Sequence, residues 1–161
     1  MEKIKNITRK VVIGVLDFIN SSLSGKFIYT GNGFVIATIA FNNLETLRVQ
    51  YDFLLKNIKE SFTYIVVDNS NKKEVSKEIE VWCIDNKILY IKITFGYRFD
   101  PSSSHGYALN FAYNILSKIE QVRYLGFLDH DIYPYRETSL TKYIRKGFFG
   151  LLQERGGKWY F

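Results

Sequence analysis

The sequence predicts an α/β protein: a mostly parallel, open sheet with helices on both faces, followed by a C-terminal hairpin. Three observations lead to this. From residue 34 onward, short β-branched apolar runs alternate with longer segments of helical periodicity, in the order strand, helix, strand, helix, strand, helix, strand. The strand segments are apolar along most of their length, as strands buried on both faces are. Polar residues gather where those segments end, and open sheets of this kind bind ligands outside the carboxyl ends of their strands.

Residues 1–33 form a lead-in. Val12, Val15, Leu16, Ile19 and Leu23 recur at helical spacing, Ser24-Gly25 ends the pattern, and Lys3, Lys5, Arg9 and Lys10 stand before it. Such an amphipathic helix can pack on the domain, lie at a membrane interface or meet a partner; packing is the favoured reading. The region 34–134 is the regular α/β domain. Its first strand is Phe34 to Ala40. Asn42 and Glu45 offer a capping box to a helix with an apolar stripe of Leu44, Leu47, Tyr51, Leu54, Leu55 and Ile58. The second strand, Tyr64 to Val67, ends at Asp68. Asn71 and Glu74 repeat the capping pattern before a stripe of Val75, Ile79, Trp82 and Cys83. The third strand is Ile88 to Thr94. A polar loop from Phe95 to Ser104, carrying Arg98, Asp100 and Pro101, leads into a helix that turns Ala108, Phe111, Ala112, Ile115 and Ile119 inward. The fourth strand runs from Tyr124 to Asp129. In residues 135–161, Thr138 to Arg145 predict a short helix. Gly147 to Gln153 and Lys158 to Phe161 predict two strands around the hairpin signal Gly156-Gly157.

Composition narrows the function classes. A chain of 161 residues with 47% hydrophobic content suits one domain with a real core and excludes wholesale disorder. The net charge of +6 favours anionic partners, but with neither an arginine-rich tract nor an aromatic-basic platform it does not argue for nucleic acid. The single cysteine, Cys83, excludes an internal disulfide and points to a reducing compartment; a buried apolar role suits it better than nucleophilic catalysis. The run Val11 to Phe18 is far short of a membrane span. The expected location is the cytoplasm, with the inner face of the membrane reachable through residues 1–25.

The chemistry is concentrated in Asp129-His130-Asp131. Strand residues i and i+2 point to the same side, so two carboxylates at a strand's end can converge. Their mutual repulsion is relieved by a hard divalent cation, Mg²⁺ or Mn²⁺, which keeps other positions for water and phosphate oxygens. A polar turn after a buried strand is the plainer alternative. His130 reads as an exposed spacer. His105 is equally a packing residue or a phosphate contact, Arg98 equally a phosphate partner or a surface ion pair, and Asn110, if buried, requires a hydrogen-bond partner. A haloacid-dehalogenase-like phosphatase also uses an Asp-x-Asp after a strand, but on its first strand; here three strand-helix units precede the motif. The segment after the first strand has no glycine-rich dinucleotide fingerprint, and a phosphate-cradling Walker sequence is absent.

Taken together, Ala40-Phe41-Asn42-Asn43, Ile65 to Asp68-Asn69-Ser70, Ser104-His105-Gly106-Tyr107-Ala108-Leu109-Asn110 and Phe127-Leu128-Asp129-His130-Asp131 resemble, in order and spacing, the donor-binding half of a GT-A-fold glycosyltransferase of the family 2 type. The resemblance covers about two thirds of the chain and implies a Rossmann-like nucleotide-diphospho-sugar transferase fold. It implies a donor site in which Phe41 and Asn42 border the base, and Asp68, with Asn69 beside it, meets the base or ribose. The His105 to Asn110 segment opens a helix toward phosphate, Asp129 lies near ribose and metal, and Asp131 ligates the metal. The implied cofactor is Mn²⁺ or Mg²⁺. The implied partners are a nucleotide-diphosphate sugar, UDP-sugars first, and a glycan or lipid-linked acceptor, as in polysaccharide biosynthesis; a homo-oligomer is compatible with it. The acceptor half of such enzymes, which carries the general base in inverting members, would follow residue 161. The expectation is therefore a donor site without an identifiable catalytic base, in an enzyme of partial length or a nucleotide-sugar-binding module.

Overall fold

A computed structural model describes residues 33–94 and 100–143, together with the backbone of 153–155 and 158–160. The expected helix within residues 1–25 and the first half of the Phe95 to Ser104 loop, including Arg98, lie outside these residues.

Four strands, β1 (Phe34–Ala40), β2 (Thr63–Asp68), β3 (Leu89–Lys92) and β4 (Tyr124–Asp129), form one parallel sheet in the order β3-β2-β1-β4. Three helices connect them: α1 (Leu44–Asn57), α2 (Lys73–Asp85) and α3 (Pro101–Leu116). This is a Rossmann-like α/β arrangement. The chain steps from β1 to β2 to β3 in one direction and then returns across the sheet to β4. Right-handed crossovers therefore place α1 and α2 on one face and α3 on the other. The packing agrees. Leu47, Leu54, Ile79 and Cys83 join Ile36, Tyr64 and Val66 on the first face. Ala108, Phe111, Ala112 and Leu116 join Val35, Ala37, Ile39, Ile65, Val67 and Ile91 on the second. Each Val, Leu, Ile or Phe side chain so removed from water contributes about 1.5–3 kcal/mol.

Helix ends follow local chemistry. Asn43, rather than Asn42, caps α1 and accepts a hydrogen bond from the Thr46 amide at 3.2 Å. Helix α2 starts after Lys72, which makes no side-chain cap. Helix α3 takes in the last four residues of the expected loop, Pro101 to Ser104. Asp100 caps it, accepting from the Ser103 amide at 2.7 Å, and Pro101 takes the first turn, where a missing N–H costs nothing.

Several expectations change. Strand β4 is half exposed, with Tyr124 at 41%, because among the described residues it pairs only with β1. Leu55 is exposed, while Gln50 and Asn57 lie buried on the face of α1 assigned to the apolar stripe. The helix expected from Thr138 to Arg145 is a short 3₁₀ turn, Thr141–Tyr143, within the described part of that range. The antiparallel hairpin forms between β5 (Gln153–Arg155) and β6 (Lys158–Tyr160), with Arg155 opposite Lys158, and the part of the expected first strand from Gly147 to residue 152 lies outside the described residues. No helix among the described residues is long and apolar enough to cross a membrane.

Candidate functional site at the carboxyl rim

The order in which the chain adds strands reverses between β1 and β4. Helix α1, which follows β1, packs on one face and α3, which precedes β4, on the other, and open α/β sheets bind ligands outside the carboxyl ends of their strands at such a point. Register fixes which residues meet. Ile39 stands opposite Asp129, Ala40 opposite Asp68, and Asp68 opposite Lys92.

At the end of β1, Phe41 is 43% exposed. Asn42 follows with φ 53°, the left-handed region that Asn tolerates better than most residues. Its side chain closes a bridge to the loop after β2. Oδ1 accepts from the Asn71 and Lys72 amides, at 3.2 and 3.0 Å, and Nδ2 donates to Asn71 Oδ1 at 2.7 Å. The Asn42 amide donates to Ser70 Oγ at 2.8 Å. The capping role expected of Asn42 and Asn71 is thus replaced by a clamp between two strand ends.

Asp68 is wholly buried. Its Oδ1 accepts from the Ser70 amide at 2.7 Å; its Oδ2 accepts from Ser76 Oγ, from the Tyr90 hydroxyl at 2.8 Å and from Lys92 Nζ at 2.9 Å. Burial alone would raise this carboxyl, but the donors from Ser70, Ser76 and Lys92 outweigh it and hold Asp68 below the usual carboxylate range. Three donors crowd Oδ2, one binds Oδ1, and the side chain has no exposed surface. The direct bond to base or ribose that the sequence suggested is therefore not offered by this arrangement; Asp68 braces the loop from beneath. Asn69 braces it from the other side, donating from Nδ2 to Ser104 Oγ at 3.1 Å and from its amide to the Ala40 carbonyl at 2.9 Å.

Helix α3 brings His105 to the end of β4, where its Nε2 lies 3.1 Å from Asp129 Oδ1. At 40% and 55% exposure the pair is open to solvent, and such contacts contribute at most about 1 kcal/mol. Asn110 does not join this cluster. It is exposed, so it does not need the buried partner considered for it, and five residues along an α-helix turn it roughly 140° away from His105.

The two aspartates are not held by strand alternation. Strand β4 ends at Asp129, and His130 and Asp131 occupy the centre of a turn closed by the Ile132 amide on the Asp129 carbonyl at 2.9 Å. Both carboxylates are exposed. Among the described residues, no group of three or more His, Cys, Asp or Glu side chains could hold a metal ion. The donor chemistry still fits Mg²⁺ or Mn²⁺ that takes its remaining ligands from phosphate oxygens and water, since these ions are commonly held by one or two carboxylates plus substrate phosphates.

Cys83 is buried, and burial pushes its thiol up to about 12, so it behaves as core. Glu137 is ion-paired with Lys59 at 2.7 Å.

Three residues that fasten the segment after β4 went unread in the sequence. Gln50, buried on α1, donates from Nε2 to the Asp129 carbonyl at 2.7 Å and to the Ile132 carbonyl, and its Oε1 accepts from the Tyr64 hydroxyl at 2.7 Å. Asn57 donates from Nδ2 to the Pro134 carbonyl at 2.8 Å. Glu60 accepts from Ser139 Oγ, the Leu140 and Thr141 amides and Thr141 Oγ1, at 2.6 to 3.0 Å. The available signal was two carboxamides at positions 50 and 57, in helical phase with Leu47 and Leu54.

Comparison with protein-family models finds no match, and comparison with curated proteins finds none either.

Proposed function

We propose that this chain binds a nucleotide-diphosphate sugar at the rim between β1 and β4, as the donor-binding part of a GT-A-type glycosyltransferase. The observation that carries the reading is that exposed Phe41 follows β1, exposed Asp129 and Asp131 stand at the end of the adjacent β4, and His105 reaches Asp129, all where strand order reverses. Phe41 offers a flat apolar face to a base. Asp129 and Asp131 would hold Mg²⁺ or Mn²⁺, and the cation would neutralise charge on the leaving diphosphate. The Asn42 clamp and the Asp68 hub keep the floor of the base pocket in one shape, so less ordering is required when ligand binds. A UDP-sugar is the favoured donor and a glycan or lipid-linked molecule the favoured acceptor, both by the resemblance quoted above.

Nucleotide-sugar binding without efficient transfer is the second reading. Glu137, the first carboxylate after Asp131, is already paired with Lys59 and is poorly disposed to serve as a base.

Titration calorimetry with UDP, GDP and their sugars, with Mn²⁺ and with EDTA, tests the proposal. Cation-dependent binding of one nucleotide series is expected. Equal affinity in Mn²⁺ and EDTA, or no binding at all, refutes it.

A further inference from the structure

We infer that Gln50 is a positioning residue for the Asp129–Asp131 cation site, acting through the backbone of the turn that carries both carboxylates. The inference rests on the nucleotide-diphosphate reading given above for its consequence, but its geometry is independent of that reading. Gln50 is fully buried on α1. Its amide nitrogen donates to the carbonyls of Asp129 and Ile132, the first and last residues of the turn, and His130 and Asp131 lie between them. One carboxamide thus ties both ends of a four-residue turn to a helix packed in the core. The hydrogen bond from the Tyr64 hydroxyl settles which way the carboxamide faces. With Oε1 accepting from Tyr64, the NH₂ group is turned toward the two carbonyls. Burial pushes the Tyr64 hydroxyl well above its ordinary value, so it keeps the proton it donates.

The consequence concerns Asp131. That side chain is exposed, and its own packing gives little to fix it. Where its carboxylate stands relative to Asp129 is set mainly by the turn's backbone, and Gln50 holds that backbone. Supporting groups that orient metal ligands commonly matter tenfold to a hundredfold in affinity. Asn57 provides an internal comparison. It is another buried α1 carboxamide on a carbonyl of the same segment, but it grips Pro134, beyond the turn.

The test uses the 161-residue chain and two readouts. The first is hydrogen exchange at the Ile132 amide, which closes the turn, in metal-free protein. The second is the affinity for UDP in the presence of Mn²⁺, by calorimetry. Gln50→Leu is expected to speed exchange at Ile132 and to weaken Mn²⁺-dependent UDP binding by roughly tenfold or more. Asn57→Leu is expected to lower thermal stability comparably while leaving both readouts near wild type. Should Gln50→Leu fail to fold, Tyr64→Phe replaces it; removing the hydroxyl frees the carboxamide and should move both readouts in the same direction by a smaller amount. A wild type that binds UDP without regard to Mn²⁺ overturns the site reading and this role with it. A wild type that shows the cation dependence, beside a folded Gln50→Leu or Tyr64→Phe that leaves exchange and affinity unchanged, overturns the positioning role alone. Equal weakening by Asn57→Leu also overturns it, since the effect would then be general loosening.

Discussion

Four donors converge on the Asp68 carboxylate, and two of them, Tyr90 and Lys92, come from the neighbouring strand β3. Replacing Asp68 by Asn keeps the shape but removes the charge facing Lys92 and turns an N–H group toward other donors. Removing one partner of a buried pair costs about 3–5 kcal/mol; with Lys92 32% exposed, solvent screening reduces this, and we expect a loss of about 2–3 kcal/mol for Asp68→Asn in urea denaturation. A stability within about 0.5 kcal/mol of wild type, the range of ordinary surface changes, would contradict the bracing role. Asp131 presents the opposite case. It is exposed, and among the described residues it has no comparable set of partners, so Asp131→Ala should leave the melting temperature unchanged. It should nevertheless abolish the Mn²⁺ dependence of UDP binding, measured by calorimetry, if the carboxylate ligates the cation. Retention of that dependence in Asp131→Ala would remove it from the site.

At the scale of elements, α1 does more than cover the sheet. Gln50, Asn57 and the loop residue Glu60 fasten the segment from Asp129 to Thr141, and Ile58 and Thr138 form a bridge beside them. The Glu60 carboxylate carries the far end of this attachment. Desolvation would raise it, but hydrogen bonds from Ser139, Leu140 and Thr141 prevail and lower it to about 2 from an ordinary 4.5. A carboxyl depressed in the folded state contributes stability that is present above its unfolded value and lost as pH falls toward its folded value. Glu60 should therefore contribute fully above pH 4.5 and progressively less down to about pH 2. Glu60→Gln is expected to lower thermal stability at pH 7 and to flatten its decline below pH 4.5. A parallel pH profile for the variant would show that the carboxylate's charge is immaterial.

For the molecule as a whole, the parallel sheet assembles its carboxyl rim from three segments distant in sequence: Phe41 and Asn42, His105, and Asp129 with Asp131. Acceptor activation needs a base within hydrogen-bond reach of an attacking hydroxyl. Glu137 is paired with Lys59, and Glu154 stands on strand β5 of the hairpin, beside its turn. We expect the purified 161-residue chain to bind UDP-sugar and to transfer sugar slowly or not at all to a glycan acceptor, scored by release of UDP and by labelled product. Transfer at rates of about 1 s⁻¹ or faster, within the ordinary enzyme range, would show that a complete catalytic set is present.

The sequence alone determined the strand-helix alternation, the inward faces of α2 and α3, and the gathering of polar residues at strand ends. Apolar periodicity is a local property, and local spacing reports it directly. It also contained the start of α3 in Asp100-Pro101, a cap followed by a first-turn proline, which the loop reading passed over. Tertiary structure alone decided the rest. Strand order set the carboxyl ends of β1 and β4 side by side, and no residue type in the sequence reports which strands adjoin. Asp68 reads as a rim ligand by its place at a strand's end, but Tyr90 and Lys92 of the adjacent strand claim its oxygens. Asp129 and Asp131 read as same-face strand neighbours, but Gln50, 79 residues from Asp129, binds the backbone there as a turn. A hydrogen bond between residues so far apart leaves no periodic trace in the chain, so the polar groups that shape the rim were visible only once the helices had packed on the sheet.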